Sequence, residues 1–434
     1  MDEKKVLIIT YYWPPSGGSG VQRWLKFVKY LPQFGWTPYV FTPENPSLTI
    51  QDESLLADVP PEAEVIKFPI WEPYKSFSKL SGIFSKGKLE SNQTGFVSVK
   101  RQSLFQQIST WIRGNVFIPD PRVFWVRPSA RFLHDFIIDN KITTVITTGP
   151  PHSIHLIGYR LKKRNSSIKW LADFRDPWSE WGFLDSLKVG VLAKALHRNL
   201  EGKVLNAADE VITITPFYVK QFERLSGRKV RLVTNGFDKD DFKDFQLIKS
   251  DKFLIRHIGI VNEKCDPRPF MQAVRELCKD DEEIKKNILV EFVGEVHPSF
   301  KEFVISDVSL STITKFTATV PHQELMNIYS TSSVLLLILT GYKDAEGYMP
   351  GKLFEYLATG IPILGVGPTN GDAAVLLNEI RSGCMIDGSD LEGIRNYIRK
   401  CFEEWRSDKP DHRIVNASKY SRKELTSELI NLLK

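Results

Sequence analysis

The sequence predicts an α/β chain built from two Rossmann-like domains. Three observations predict it. Short apolar runs alternate with amphipathic stretches along almost the whole length, the signature of parallel sheets covered on both faces. The pattern starts twice, at Val6 and again at Phe253, with a polar stretch rich in Asp and Lys before the second start. Finally, 434 residues are roughly two to three times a typical domain. A composition of 42% hydrophobic and 25% charged residues excludes a disordered, collagenous or coiled-coil chain.

In the first half, strands are predicted at residues 6–10, 37–42, 143–148, 168–173, 210–215 and 230–234. Amphipathic stretches at 21–34, 152–163 and 186–205 supply the covering helices. The second half has strands at 253–260, 288–293, 334–339 and 361–366. Residues 238–252 suit a linker, which gives domains of 1–245 and 246–411. The final segment, 420–434, reads as a helix with an apolar stripe at Leu425, Leu429, Ile430 and Leu433. Residues 70–118 break the rhythm. No strand is evident there, and Lys75, Lys79, Lys86 and Lys88 interleave with Phe77, Leu80 and Phe84. This spacing fits either an interfacial helix or a stretch packed on the core.

Charge is uneven. Residues 1–250 carry 35 basic against 25 acidic side chains, and residues 251–434 carry 23 against 27. The basic half reads as facing something anionic, or as a solvated basic face. The chain's longest apolar run, 334–339, is far shorter than the roughly 18–20 residues that span a bilayer. The apolar run at 6–9 is too short for a signal peptide. Cys265, Cys278, Cys384 and Cys401 lie far apart with no C-x-x-C spacing, so they read as reduced thiols, with no disulfide framework or zinc site. A cytoplasmic protein is expected, associated at most with the inner face of the membrane.

Four loops carry chemistry. Gly17, Gly18 and Gly20 follow the first strand and lead into a helix, where backbone N–H groups favour an anion. A dinucleotide fingerprint would need a third glycine where Arg23 stands, which argues against NAD. Gly149-Pro150-Pro151-His152-Ser153 follows the strand at 143–148, at the carboxyl end where ligands of open α/β sheets sit. His152 there is either a proton-exchanging group or a helix cap. Asp173 and Asp176 flank Arg175 and read as a functional carboxylate pair, of a kind glycosidases also use, or as a structural ion-pair cluster. The most informative run is residues 350–362. Pro350 and Gly351 suit a helix start that can take a phosphate, and Gly360 suits its end. Glu355, one turn in, is placed to accept hydrogen bonds from a ribose diol, or is a surface Glu on an ordinary helix.

Taken together, these runs, with Thr234-Asn235-Gly236-Phe237-Asp238, resemble in family order the retaining glycosyltransferases of family 4, which have the GT-B fold. The resemblance covers nearly the full length. It implies two Rossmann-like domains facing across a cleft, with a C-terminal helix, residues 412–434, crossing back to the first domain. It implies acceptor binding by the N-terminal domain and sugar-nucleotide binding by the C-terminal one. By position, Glu355 resembles the ribose ligand, and Gly351, Lys352 and Leu353 the diphosphate contacts. Gly17, Gly18 and Gly20 resemble the loop closing over the donor, and His322 the segment lining the base. His152 resembles the histidine beside the transferred sugar and, with Asp176, is a catalytic candidate.

Two departures stand out. The family's earlier Glu falls on Gly347, with Glu346 one residue away, and its Arg after the first glycine of the second domain falls on Ile260. Lys264 and Arg268 are the candidates to supply that charge. Asp238-Lys239-Asp240 imitates a metal-binding triplet, but the resemblance explains it as a turn, and no metal or cofactor is expected. The implied function is transfer of a sugar from a nucleoside-diphosphate donor, UDP favoured over GDP, to a saccharide or lipid-linked saccharide. Contact with an anionic membrane is an accompanying expectation, and a nucleic-acid partner is not. A sugar-nucleotide epimerase of the same fold and a non-catalytic sugar-nucleotide-binding protein share these motifs.

Overall fold

A computed structural model of the chain describes residues 4–47, 51–73, 104–262, 265–339, 341, 344–407 and 417–434. Two compact units result, Met1–Thr234 with Leu425–Lys434, and Asn235–Glu424. The division comes before residue 245, the position suggested by polarity, and Phe237 explains the difference. It is buried in the second unit's core with Tyr329, Leu353 and Phe354, and its N–H and C=O bond to Tyr420 O and Arg422 N. Phe242 and Phe245 pack on the same cluster, so aromatic side chains anchor a stretch that charge alone makes look like a linker.

The first unit is a seven-stranded sheet in the order β3-β2-β1-β4-β5-β6-β7. Its strands are β1 (Lys4–Ile9), β2 (Trp36–Pro43), β3 (Glu64–Phe68), β4 (Thr144–Gly149), β5 (Lys169–Phe174), β6 (Glu210–Thr213) and β7 (Arg231–Leu232). Every pairing is parallel. The helix Ser19–Tyr30 shows how the covering works. Val21, Trp24, Leu25 and Val28 recur at i, i+3, i+4 and i+7 and are buried against Val6 and Ile8 of β1. Leu425, Leu429, Ile430 and Leu433 are buried in the same cluster.

The second unit is a six-stranded parallel sheet in the order β10-β9-β8-β11-β12-β13. Its strands are β8 (Phe253–Ile258), β9 (Ile288–Val293), β10 (Thr314–Thr317), β11 (Val334–Ile338), β12 (Ile363–Val366) and β13 (Gly383–Ile386). Both sheets are therefore doubly wound, as the sequence predicts. Their strand order reverses between β1 and β4 in one and between β8 and β11 in the other, which is where such sheets open to a ligand.

Three strands escaped the apolar-run reading: β3, β10 and β13. All three are edge strands, and their residues are mostly half-buried or exposed, so no continuous apolar run marks them. The lysine and phenylalanine positions between 75 and 88 lie outside the described residues. Among the described residues, no helix is long and apolar enough to cross a membrane.

One buried pair ties the second sheet together. Arg256 of β8 donates to Glu291 of β9 at 2.7 Å, while Thr317 Oγ1 and Lys315 Nζ reach the other carboxylate oxygen at 2.6 and 2.9 Å. Burial alone would raise the Glu291 carboxyl, but these hydrogen bonds pull it down to about 2. Its stabilising contribution is present above the ordinary carboxyl pKa of 4.5 and is lost as pH falls through about 2. Glu291→Gln should lower stability at pH 7 by about 1.5–3 kcal/mol. Urea unfolding should show that deficit shrinking as pH drops from 4.5 towards 2.

Candidate functional site

At the end of β8, Gly259 has φ 124° and Gly294, after β9, has φ 131°, both in the region that favours glycine. A Cβ on Gly294 would stand 2.5 Å from the Gly259 carbonyl oxygen, so the two loops touch backbone to backbone. The space beside Gly259 is taken by Lys352. Its Nζ donates to Ile258 O at 3.0 Å, lies 3.4 Å from His257 Nε2, and would meet a Cβ on Gly259 at 3.1 Å. Burial pulls the Lys352 ammonium below its ordinary pKa, partly offset by the nearby Cys265 and Glu355.

Lys352 belongs to the helix Gly351–Thr359, which starts after Pro350 in extended conformation and ends at Gly360 with φ 71°. Leu353, Phe354, Tyr356 and Leu357 bury its inner face, and Tyr356 Oη accepts from Ile258 N at 3.1 Å, locking the helix onto β8. Among the described residues no side chain caps the helix start. Leu353 N donates to Pro350 O at 3.0 Å, and the Leu353 side chain is in the core. Among the described residues no acceptor meets the N–H groups of Gly351 and Lys352, which leaves two donors at the positive end of the helix.

Glu355 lies one turn further on, with a fifth of its side chain exposed. Tyr329 Oη donates to Oε2 at 2.9 Å, and His322 Nε2 stands 3.4 Å from Oε1. Burial would raise this carboxyl, but His322, Tyr329 and the charge of Arg422 together hold it below the ordinary value. Glu355 is thus an ionised carboxylate with acceptor capacity beyond its two protein contacts. His322 and Glu355, separate candidates in the sequence, meet here. Tyr329 and Arg422 were not anticipated. Tyr329 sits in an unremarkable amphipathic segment, and nothing local in sequence joins it to a residue 26 positions away.

The first unit's loops are tied from below. Asp173 of β5 is fully buried and accepts from Arg23 Nε and Nη2 at 3.1 and 3.0 Å, Trp24 Nε1 at 2.6 Å and Thr148 Oγ1 at 3.0 Å. Arg23 also donates to the carbonyls of Val233 and Thr234. So the residue that replaces the fingerprint's third glycine is a core cation, and Asp173 is its counter-charge. Arg175 binds three carbonyls, Gly20 at 2.8 Å, Gly149 at 3.2 Å and Pro150 at 2.5 Å, and so joins the helix start after the glycine loop to the end of β4 and the loop of His152. Gly17 is buried and Gly18 exposed, with φ 89°. Asp176 is half-buried, its carboxyl raised by burial against the pull of Arg175.

His152 precedes the helix Ser153–Arg164 and is 5% exposed. Its ring stacks on Trp178 with centroids 5.2 Å apart and planes 3° from parallel. Neither ring nitrogen makes a hydrogen bond of ordinary geometry. Burial, then His155 and Arg175, push its pKa well below 6.5, so the ring is neutral. The adjacent helix start is already occupied, because Asp120 accepts from Ser153 N and Oγ, both at 2.8 Å.

The remaining candidates are placed as follows. Arg268 pairs with Asp266 at 2.5 Å, reaches Ser299 Oγ at 3.1 Å and lies over the Phe303 ring. Lys264 lies outside the described residues. Gly347 is buried, whereas Glu346 is exposed and accepts from Asn370 Nδ2 at 3.2 Å. Asp238 caps the short 3-10 helix Lys239–Phe242 by accepting from Asp240 N at 3.1 Å, so the acidic triplet forms a turn.

No family model matches the chain, and no curated protein matches it in sequence. Solved structures do. A glycosyltransferase from Rickettsia africae ESF-5 superposes with TM-score 0.65 at 13% identity, covering 100% of both chains. WaaG, a glycosyltransferase involved in lipopolysaccharide biosynthesis, gives 0.59 at 13% identity, over 99% of both.

The chain has the GT-B fold.

A putative UDP-N-acetylglucosamine 2-epimerase from Listeria monocytogenes is also similar, with TM-score 0.55 at 12% identity over 100% of this chain and 96% of that one. At such identities the GT-B likeness concerns architecture. Within it, Asp173 should prove structural. Asp173→Asn leaves the Arg23 charge in the core without a counter-charge, and should cost about 3–5 kcal/mol in a denaturation measurement.

Proposed function

We propose that the chain is a retaining, metal-independent glycosyltransferase of the family 4 type. It would move a sugar from a nucleoside diphosphate, UDP favoured over GDP, to a saccharide or lipid-linked saccharide at the inner face of the membrane. The observation that carries this reading is the second unit's juxtaposition of an uncapped helix start, Lys352 and the ionised Glu355 beside the strand reversal. The N–H groups of Gly351 and Lys352, with the Lys352 ammonium, suit a diphosphate. Charge that grows on the leaving phosphate is then met by fixed dipoles and a cation that need no reorganisation.

Glu355, its rotamer held by Tyr329, would accept the two hydroxyls of the ribose, and His322 beside it would border the base. In the first unit, neutral His152 offers one donor and one acceptor nitrogen to a sugar hydroxyl. Front-face transfer, with the leaving phosphate taking the acceptor's proton, is what the family resemblance implies. The basic excess of residues 1–250 supports an anionic setting for the acceptor.

The likeness to the Listeria protein favours one second reading, an epimerase that uses the same nucleotide sugar without an acceptor. Product analysis in the absence of acceptor separates the two.

Calorimetric titration of UDP, GDP, ADP and uridine tests the site. One diphosphate should bind, and Glu355→Ala should weaken it by about 10- to 150-fold, the loss of a charge-assisted contact of roughly 1.5–3 kcal/mol. Glu355→Ala should weaken uridine as well, whereas Lys352→Ala should weaken UDP and leave uridine unchanged. No binding by any nucleotide at millimolar concentration overturns the reading.

A further inference from the structure

The helix Val191–Ala207 buries polar side chains and exposes apolar ones. Its buried face carries His197 and Glu201 beside Ala193, Val204 and Leu205. Glu201 accepts from the N–H groups of Trp178 and Ser179, and Trp178 Nε1 donates to His197 Nδ1 at 3.0 Å. Its outward face presents Val191 and Leu192, 85% and 88% exposed, and Leu196 a turn later. Lys194, Arg198 and Lys203 are exposed on the same helix, which has no exposed carboxylate of its own.

A second apolar edge adjoins the start of this helix. Asn115, at the end of the helix Leu104–Asn115, accepts from Gly190 N at 2.8 Å and donates to Lys188 O at 3.3 Å. Gly114 lies so close to Leu187 that a Cβ there would come within 2.7 Å of its carbonyl oxygen. The Asn115 contact ties the end of the helix bearing exposed Trp111, and exposed Val116 just after it, to the residue that precedes Val191. Two carboxylates beside it are paired: Asp185 stands 3.7 Å from Lys194, and Glu180 pairs with Arg224 and Arg198.

We infer that this surface, Val191, Leu192 and Leu196 with Trp111, Val116 and the basic side chains around them, docks the first unit onto an anionic lipid surface. Adjacent aliphatic side chains held almost fully in water lose free energy on entering the headgroup boundary. Lysine and arginine beside them draw the helix to anionic headgroups, while their own methylene stems add apolar contact. The inference gives a surface to the membrane contact proposed above and rests on that reading only for its setting.

The test uses the full chain and no sugar nucleotide. Wild type should cosediment with vesicles of phosphatidylglycerol and phosphatidylcholine at low salt, less so at high salt, and weakly with phosphatidylcholine alone. The double variant Val191→Ser/Leu192→Ser, at positions too exposed to matter to the core, should bind anionic vesicles roughly tenfold less or weaker. Lys194→Glu/Arg198→Glu should flatten the salt dependence. Both variants should keep the nucleotide affinity of wild type, so a failed donor site and a failed docking surface give different results. Three results overturn the inference: no preference of wild type for anionic vesicles, undiminished binding by the serine variant, or a wild-type dimer that the serine variant makes monomeric. The last would assign the face to a second copy of the chain.

Discussion

Parallel strands leave all their outgoing loops at one end of a sheet, and a reversal of strand order parts two of those loops. Each unit has one such reversal, between β1 and β4 and between β8 and β11, and each candidate residue of consequence sits beside one. Gly18, Gly20 and His152 gather at the first reversal, and Gly259, Lys352 and Glu355 at the second. The buried network beneath is what keeps those loops in place. Asp173 neutralises Arg23, and Arg175 fastens the helix start after the glycine loop to the histidine loop through carbonyls alone.

The two reversals are equipped differently. In the first unit Asp120 fills the start of the helix after His152, so the dipole there is spent inside the protein. Burial leaves the neighbouring ring neutral, a state suited to a hydroxyl rather than a phosphate. In the second unit the helix start is uncapped, a lysine lies against it and the carboxylate one turn on is kept charged. The uncapped helix start and the charged carboxylate one turn on are the two features that the proposed diphosphate and ribose contacts use.

Much of this was legible in the sequence. Buried central strands announce themselves as apolar runs, because both faces are covered. Glycine and proline marked the loop and helix ends at Gly18, Pro350 and Gly360, where backbone geometry demands them. Edge strands β3, β10 and β13 were missed because exposure lets polar residues interrupt them. The partners of Glu355 were hidden for a different reason: Tyr329 and His322 reach it only through the packing of the second core. The aromatic anchors of residues 237–245 were likewise masked by the aspartates and lysines around them, which drew the unit boundary too late in the chain.

The central claim is that the second unit holds a nucleoside diphosphate at its strand reversal, and a crystal structure of the protein with UDP tests it most directly. The expected density has the distal phosphate on the N–H groups of Gly351 and Lys352, and the ribose hydroxyls on Glu355 while Tyr329 keeps its own hydrogen bond to that carboxylate. UDP bound at another place, or with its ribose turned away from Glu355, would contradict it.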